Sequence, residues 1–380
     1  MGRKILISAG EASGDLYAAS LAAELLRRHP DLELFGCAGP RMRAAGVRAV
    51  VDSASLAVVG LIEVVAHIPR IRREYRKLLR AARAERPALA ILTDSPDFHL
   101  RLARQLKRIG VPVVYLVAPQ VWAWRKGRLP AMRRSIDRLL AIFPFEEEFF
   151  QRHGIPVTYI GHPLVKLIRP ALTREEFFRK HGLPLDRPLV ALLPGSRRGE
   201  AARHMPVLAD AAARIALQTP ASFVLALPNP PGLNDFTERI SAAPIQVIEG
   251  ETWDVLAHSG VALAASGTVT VEAALLGTPL VTFYKVTVLS WLAGKFLVDV
   301  PFYSMVNLIA GRAVVPELMQ NEMKADRLAS EALRLLNDPA ASGEMRRQLE
   351  LVSQALAGSG DPIERAAGVV EEVLAATNQT

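Results

Sequence analysis

The sequence predicts an α/β chain of two successive domains, each a parallel sheet covered by helices, and three observations carry that expectation. A length of 380 residues exceeds what one hydrophobic core usually organises. Short apolar runs suited to buried parallel strands alternate with helix-length segments. The alternation then restarts near the middle of the chain.

In the first half the strand-like runs lie at residues 4–8, 34–37, 89–92, 113–117, 139–142 and 157–160. Gly161-His162-Pro163 closes this series, since a residue before proline leaves the helical region. A helical segment containing Pro170 follows, which puts the domain boundary near residue 165. The second series runs at residues 189–193, 223–227, 246–248, 261–264 and 280–283. Beyond Asn321 the pattern is helical over 325–337, 344–357 and 362–376, with turn signals at Asp338-Pro339 and at 358–362. No solenoid repeat or low-complexity tract interrupts this order.

Composition narrows the function classes. Half of the residues are hydrophobic, yet no uncharged apolar run approaches the roughly 18 to 20 residues that span a bilayer. Met1-Gly2-Arg3-Lys4 leads into a short apolar run and then Glu11, without the pattern of a secretory signal, so a cytoplasmic protein is expected. Cys37 is the only cysteine, which leaves no intrachain disulfide and no thiolate metal cluster. The charge is lopsided. Residues 1–165 hold 26 Lys/Arg against 15 Asp/Glu, a net of +11 that leaves −3 for the rest. Only the first half should seek an anionic partner: nucleic acid, a phosphorylated substrate or a membrane surface.

Four strand-end segments carry candidate chemistry. The first strand runs into Gly10-Glu11-Ala12-Ser13-Gly14-Asp15 and a helix expected near Leu16. Such a turn offers backbone donors to a ligand. It lacks the third glycine of a dinucleotide fingerprint and the ending of a P-loop, and Glu11 and Asp15 would repel a diphosphate. The plainer reading is a turn capped by Ser13 or Asp15. The run at 89–92 delivers Thr93-Asp94-Ser95-Pro96-Asp97. Ser95 as N-cap and Asp97 as a first-turn carboxylate have local explanations, which leaves Asp94 as a candidate general base.

In the second half, Pro194-Gly195-Ser196-Arg197 follows a strand, and a glycine turn with an arginine at a helix start suits a diphosphate. Ser266-Gly267-Thr268 opens another helix, with Glu272 one turn inside where a carboxylate can accept both hydroxyls of a ribose. Each segment alone could be a helix cap or an exposed turn. Together they describe a site for a nucleotide diphosphate sugar, and no Asp-x-Asp cluster faces the phosphates to hold a metal, so none is expected.

Membrane contact is also readable. Val58, Val59, Leu61 and Ile62 lie in a run with few charges, and residues 69–86 then hold eight Lys/Arg against Glu74 and Glu85. This pattern reads as an apolar dip beside a basic collar, to which Trp122 and Trp124 add interfacial aromatics. Core helix with a solvated basic face is the plainer alternative.

Seven segments, in order, resemble the lipid-A-disaccharide synthase family. They are Gly10 to Asp15, Ala38-Gly39-Pro40-Arg41-Met42, Asp94-Ser95-Pro96-Asp97-Phe98, Val121-Trp122-Ala123-Trp124-Arg125, Leu193 to Arg197, Ala265 to Thr268, and Asn307-Leu308-Ile309-Ala310-Gly311-Arg312. Ser95 stands where the family commonly has alanine, and Ile309 where it has leucine.

The resemblance implies a GT-B fold: two facing Rossmann-like domains with a C-terminal helical return. Residues 1–165 would be the acceptor-binding, membrane-facing domain and 166–344 the donor domain. Helices in 345–380 would pack on a first domain, its own or a partner chain's. The implied enzyme is an inverting glycosyltransferase. It joins UDP-2,3-diacylglucosamine to 2,3-diacylglucosamine 1-phosphate, giving a β-1,6-linked disaccharide 1-phosphate and UDP without a cofactor, peripherally on the inner membrane.

Gly195, Ser196, Arg197, Ser266, Gly267, Thr268, Glu272, Asn307, Arg312 and Gln320 would then be donor-side residues. Asp94 and Glu11 would be catalytic, with Ser13, Asp15 and Asp97 beside the acceptor. The partners implied are the two sugars, an anionic membrane surface and a second copy in a homodimer. The rival readings are another GT-B transferase using UDP-N-acetylglucosamine or a UDP-sugar epimerase, against which the first-domain segments argue. A nucleic-acid binder would explain the basic half, but no helix-turn-helix, zinc or RNP pattern is present.

Overall fold

The structure, a computed structural model, describes residues 3–56, 61–227, 245–287, 291 and 300–377. It forms two compact units: Met1–Lys166 with Leu356–Thr380, and Leu167–Ala355.

The first unit is built on strands β1 (Lys4–Ala9), β2 (Glu33–Ala38), β3 (Arg48–Asp52), β4 (Leu89–Thr93), β5 (Val113–Leu116), β6 (Arg138–Ala141) and β7 (Val157–Tyr159). They form one sheet in the order β3-β2-β1-β4-β5-β6-β7, every neighbouring pair parallel. All five residues of β4 are buried, as expected of a strand covered by helices on both faces. Strand β3 is absent from the expected runs. It lies at the sheet edge with Arg48, Ala49 and Asp52 exposed, and its apolar run is only Ala49-Val50-Val51, too short to show a period.

Its helices are α1 (Ala12–Arg28), α2 (Pro40–Ala44), α3 (Leu61–Glu85), α4 (Pro96–Arg108), α5 (Leu129–Ser135) and α6 (Pro144–Arg152), with α7 (Leu164–Leu167) at the joint. Helix α1 starts at Ala12 rather than near Leu16, with Glu11 as its N-cap residue. Val58 and Val59 lie outside the described residues, as do the side chains of Leu61 and Ile62.

The second unit repeats the plan. Strands β8 (Leu189–Leu193), β9 (Ser222–Leu227), β10 (Ile245–Glu249), β11 (Val261–Ala265), β12 (Leu280–Tyr284) and β13 (Glu317–Met319) form a parallel sheet in the order β10-β9-β8-β11-β12-β13. Around it stand α8 (Arg174–His181), α9 (Arg198–Ala216), α10 (Thr252–His258), α11 (Thr268–Leu275), α12 (Met305–Ala310), α13 (Ala325–Asn337) and α14 (Pro339–Ala357). The three-residue strand β13 also escapes the sequence reading, being too short to show a period.

Helix α15 (Pro362–Thr377) belongs to the first unit, where it packs along α1. Ile363, Ala366, Ala367, Val369, Val370 and Leu374 are its buried apolar residues, and Glu371 takes Arg28 at 3.1 Å and His29 at 2.8 Å. The return begins at Leu356, not at the expected residue 345. Residues before that point still serve the second sheet: the Leu280 amide donates to Met345 Sδ at 3.3 Å, and Arg346 reaches the Gly277 carbonyl at 2.7 Å.

In each sheet the chain builds outward from a central strand and then restarts on that strand's other side. The reversals fall between β1 and β4 and between β8 and β11. Connections leave a reversal in opposite directions, which opens a crevice at the carboxyl ends of those strands.

Candidate functional site

All four strand-end segments singled out in the sequence lie at these two reversals. In the first unit, Asp94 leaves β4 with φ +53°, and Ser95 follows at φ +38°. Two successive non-glycine residues in the left-handed region persist only where the surroundings impose them. The turn bends the Asp94 carboxylate back over β1. There it accepts from the Gly10 amide at 2.9 Å and the Glu11 amide at 3.0 Å. Gly14 makes this approach possible, since a Cβ at that position would come 1.7 Å from Asp94 Oδ2.

Burial pushes the Asp94 carboxyl up to about 7; the Gly10 amide opposes the rise, and the Glu11 charge adds to it. A buried carboxyl that titrates near neutrality is suited to taking a proton. Glu11 is exposed, with no capping hydrogen bond from its side chain.

The other expected acceptor-side residues divide. Asp15 is 4% exposed, and its carboxylate accepts from the amides of Gly39, Arg41 and Met42. It therefore anchors the start of α2. Ser13 sits exposed in the first turn of α1, where neither it nor Asp15 is the cap. Asp97 is exposed and pairs with Arg125 at 3.0 Å and with Arg128, while Ser95 occupies the N-cap of α4 without a capping hydrogen bond. The expected interfacial role of Trp122 is corrected. It is 8% exposed and donates to buried Glu146 at 3.0 Å, so only Trp124, under the Arg125 guanidinium, is free to meet an interface.

In the second unit, Gly195 turns the chain out of β8 at φ +104° beside Ala265, the last residue of β11. Ser196 and Arg197 are exposed on this turn, and Arg197 meets Glu200 at 3.0 Å. Glu200 in turn accepts from Tyr284 at 2.6 Å, which holds the arginine near the strand ends. Across the reversal, Gly267 and Thr268 are exposed at the start of α11, and Ser266 Oγ donates to the Tyr303 carbonyl at 2.8 Å. Glu272 lies one turn inside. Burial raises its pKa against a hydrogen bond from Trp253.

Three expected donor-side residues are occupied elsewhere. Asn307 is 1% exposed and all its hydrogen-bonding capacity is used: it donates to Val315 and Glu317 and accepts from the amides of Val314 and Val315. It braces the segment after α12. Gln320, at φ +51°, bonds both ways with the Val286 backbone. Arg312 is exposed and bonded to Gln348.

Sequence reasoning missed His99 and Tyr115, which hold the Asp94 backbone, and His204, which joins Pro194 to Lys285 at the ends of β8 and β12. A signal existed for His99. It falls on the stripe that α4 buries, with Leu102, Ala103 and Leu106, where a polar residue needs a partner. Among the described residues no helix is long and apolar enough to cross a membrane, and no cluster of His, Cys, Asp and Glu could hold a metal ion.

Comparison with known proteins gives consistent matches. A family model described as lipid-A-disaccharide synthetase matches residues 5–359. The chain is 68% identical to the lipid-A-disaccharide synthase of Solibacter usitatus over 98% of this chain and 97% of the relative. It is 44% identical to that of Geobacter sulfurreducens over the same shares. Among solved structures, a UDP-GlcNAc 2-epimerase from Neisseria meningitidis bound to UDP-GlcNAc superposes with a TM-score of 0.66 at 13% identity, over 98% of this chain and 99% of that one. The calicheamicin glycosyltransferase CalG4 does so with 0.61 at 17%, over 98% of each. At such identities the structural likeness speaks for the fold alone.

Proposed function

The chain belongs to the lipid-A-disaccharide synthetase family, and on that footing we propose how its two units divide the joining of the sugars. The enzyme is a GT-B glycosyltransferase that forms the lipid A disaccharide from a UDP-sugar donor and a lipid acceptor. It joins UDP-2,3-diacylglucosamine to 2,3-diacylglucosamine 1-phosphate with inversion. The first unit takes the acceptor. The second holds the donor.

The observation that supports the division is the placement of a largely buried carboxyl, held on the Gly10 and Glu11 amides, at one reversal and of an arginine with a glycine-opened helix start at the other. Asp94 removes the proton of the acceptor 6-hydroxyl as that oxygen attacks the anomeric carbon, and exposed Glu11 orients the sugar. UDP departs with charge growing on its phosphates. Arg197 and the free amides opening α11 stabilise that charge as it develops. Glu272 accepts from the ribose hydroxyls.

Membrane association belongs to the same reading. Arg70, Arg72, Arg73, Arg76, Lys77, Arg80 and Arg83 are all exposed along α3, a basic face suited to anionic lipid. A homodimer is read by sedimentation.

The deciding assay measures UDP release from UDP-2,3-diacylglucosamine. Release that requires 2,3-diacylglucosamine 1-phosphate and yields the disaccharide supports the reading. Release without acceptor, or 2-epimerised donor, overturns it.

A further inference from the structure

The backbone of Asp94 is held as firmly as its carboxyl. His99, fully buried on α4, has Nδ1 3.0 Å from the Asp94 carbonyl oxygen and Nε2 2.8 Å from Ser8 Oγ. Tyr115, fully buried on β5, donates its hydroxyl to the same carbonyl at 2.6 Å. A carbonyl oxygen only accepts, so His99 carries its proton on Nδ1, and Nε2 accepts from the Ser8 hydroxyl. One oxygen therefore ties together β1, β4, β5 and α4, at the residue whose φ of +53° an L side chain rarely adopts.

We propose that His99 and Tyr115 are positioning residues for sugar transfer: by clamping the Asp94 carbonyl they hold its left-handed turn, and so keep its carboxylate on the Gly10 and Glu11 amides. This rests on Asp94 being the base and adds what keeps it in place. Neither side chain touches the reacting atoms.

The electrostatics agree with the clamp. Burial lowers the His99 imidazole to about 4 and raises the Asp94 carboxyl to about 7. The ring is therefore already neutral over the range in which the carboxyl titrates. A charged ring, with Nδ1 3.8 Å from Asp94 Oδ1, would strip the carboxyl of its proton affinity. The other groups facing this turn are Glu11 from the start of α1 and Cys37 from β2, with Asp97 and Arg128 beside Tyr115. Glu11 adds to the carboxyl's proton affinity, and Arg128, the positive group among these, is paired with Asp97.

The experiment follows single-turnover rates of the full chain from pH 5 to 9 for wild type, His99→Leu, His99→Asn and Tyr115→Phe. Asparagine can present an amide N–H where Nδ1 stood. His99→Leu and Tyr115→Phe should each slow transfer about tenfold or more, the effect of one lost buried hydrogen bond, with UDP affinity unchanged. The rising limb of the profile should move to higher pH, because a slackened turn loses the two amides that favour the ionised carboxylate. His99→Asn should recover most of the rate and return the limb toward wild type.

Lower rates with an unmoved limb, or His99→Asn as impaired as His99→Leu, would show a merely structural role and overturn the proposal. Carbon-13 titration of the Asp94 carboxyl reads the same shift without turnover. It stays informative through Tyr115→Phe if His99→Leu does not fold. A near-normal rate in Asp94→Asn would instead remove the base assignment, while the carboxyl titration still decides whether the clamp exists.

Discussion

Asp94 is asked to be a good base and a buried group at once, and these demands oppose each other. Its carboxyl titrates at about 7 in the fold against an ordinary 3.8, so between those values the native state binds more protons than the unfolded chain. Stability from this group is therefore fully present below about pH 4, and is lost as pH rises through about 7. Asp94→Asn cannot ionise and tolerates the left-handed turn. At pH 8 it should unfold at higher denaturant than wild type, by on the order of a few kcal/mol, an advantage that vanishes near pH 4. The same variant should lower the single-turnover rate by about 10²- to 10⁴-fold with UDP affinity preserved. A near-normal Asp94→Asn rate beside a collapsed Glu11→Gln rate would move the base role to Glu11. On the donor side, Glu272→Ala and Arg197→Ala should each weaken UDP binding by roughly 1.5 to 3 kcal/mol, the worth of a charge-assisted hydrogen bond. Calorimetry with unchanged UDP affinity in both variants removes the assignment.

At the scale of elements, the first reversal depends on how closely α1 crosses the end of β4. Gly14→Ala would place its methyl on Asp94 Oδ2, so either the carboxylate leaves its amides or α1 shifts. Transfer should fall by at least tenfold while UDP binding, a property of the second unit, persists; retained transfer would show that the carboxylate position is unimportant. The motif Gly10 to Asp15 was thus legible as a turn at a strand end, but the reason for its second glycine was not. That reason sits 80 residues away in sequence, on a strand that only the sheet order brings alongside. Helix α3 supports a separate test. Arg72, Arg76 and Arg80 recur along one exposed face, and replacing all three with glutamate should abolish co-sedimentation with anionic vesicles at low salt. Vesicle binding as strong as wild type would return this face to ordinary solvation.

At the scale of the whole molecule, α15 completes the first unit from the far end of the chain. It packs along α1 with six buried apolar residues on its length and a carboxylate shared between Arg28 and His29. Burial of those residues is worth on the order of 5 kcal/mol or more, so a chain ending at residue 361 should lose the first unit's thermal transition or lower it by many degrees. UDP should still bind the second unit. Calorimetry showing an unaltered first transition would mean that α15 is dispensable. The charge imbalance belongs to the same scale: the net +11 of residues 1–165 sits on the unit proposed to meet the membrane.

Local pattern was enough to determine the two α/β units, the placing of Asp94, Arg197 and Ser266 to Thr268 at strand ends, and the helical tail, because apolar periodicity, glycine turns and proline stops act over a few residues. The edge strand β3 and the short β13 lacked that periodicity and stayed hidden. Which polar side chains remained available to a substrate was decided only by the tertiary structure. Asp15 and Asn307 stood among the candidate site residues, and the fold puts the amides of residues 39–42 and 314–315 on their oxygens. His99 and Tyr115 drew no notice until sheet order put both on one carbonyl. A buried polar group must find its partner wherever the fold supplies one, and that partner is commonly distant in sequence, so local chemistry names the candidates and long-range hydrogen bonding selects among them.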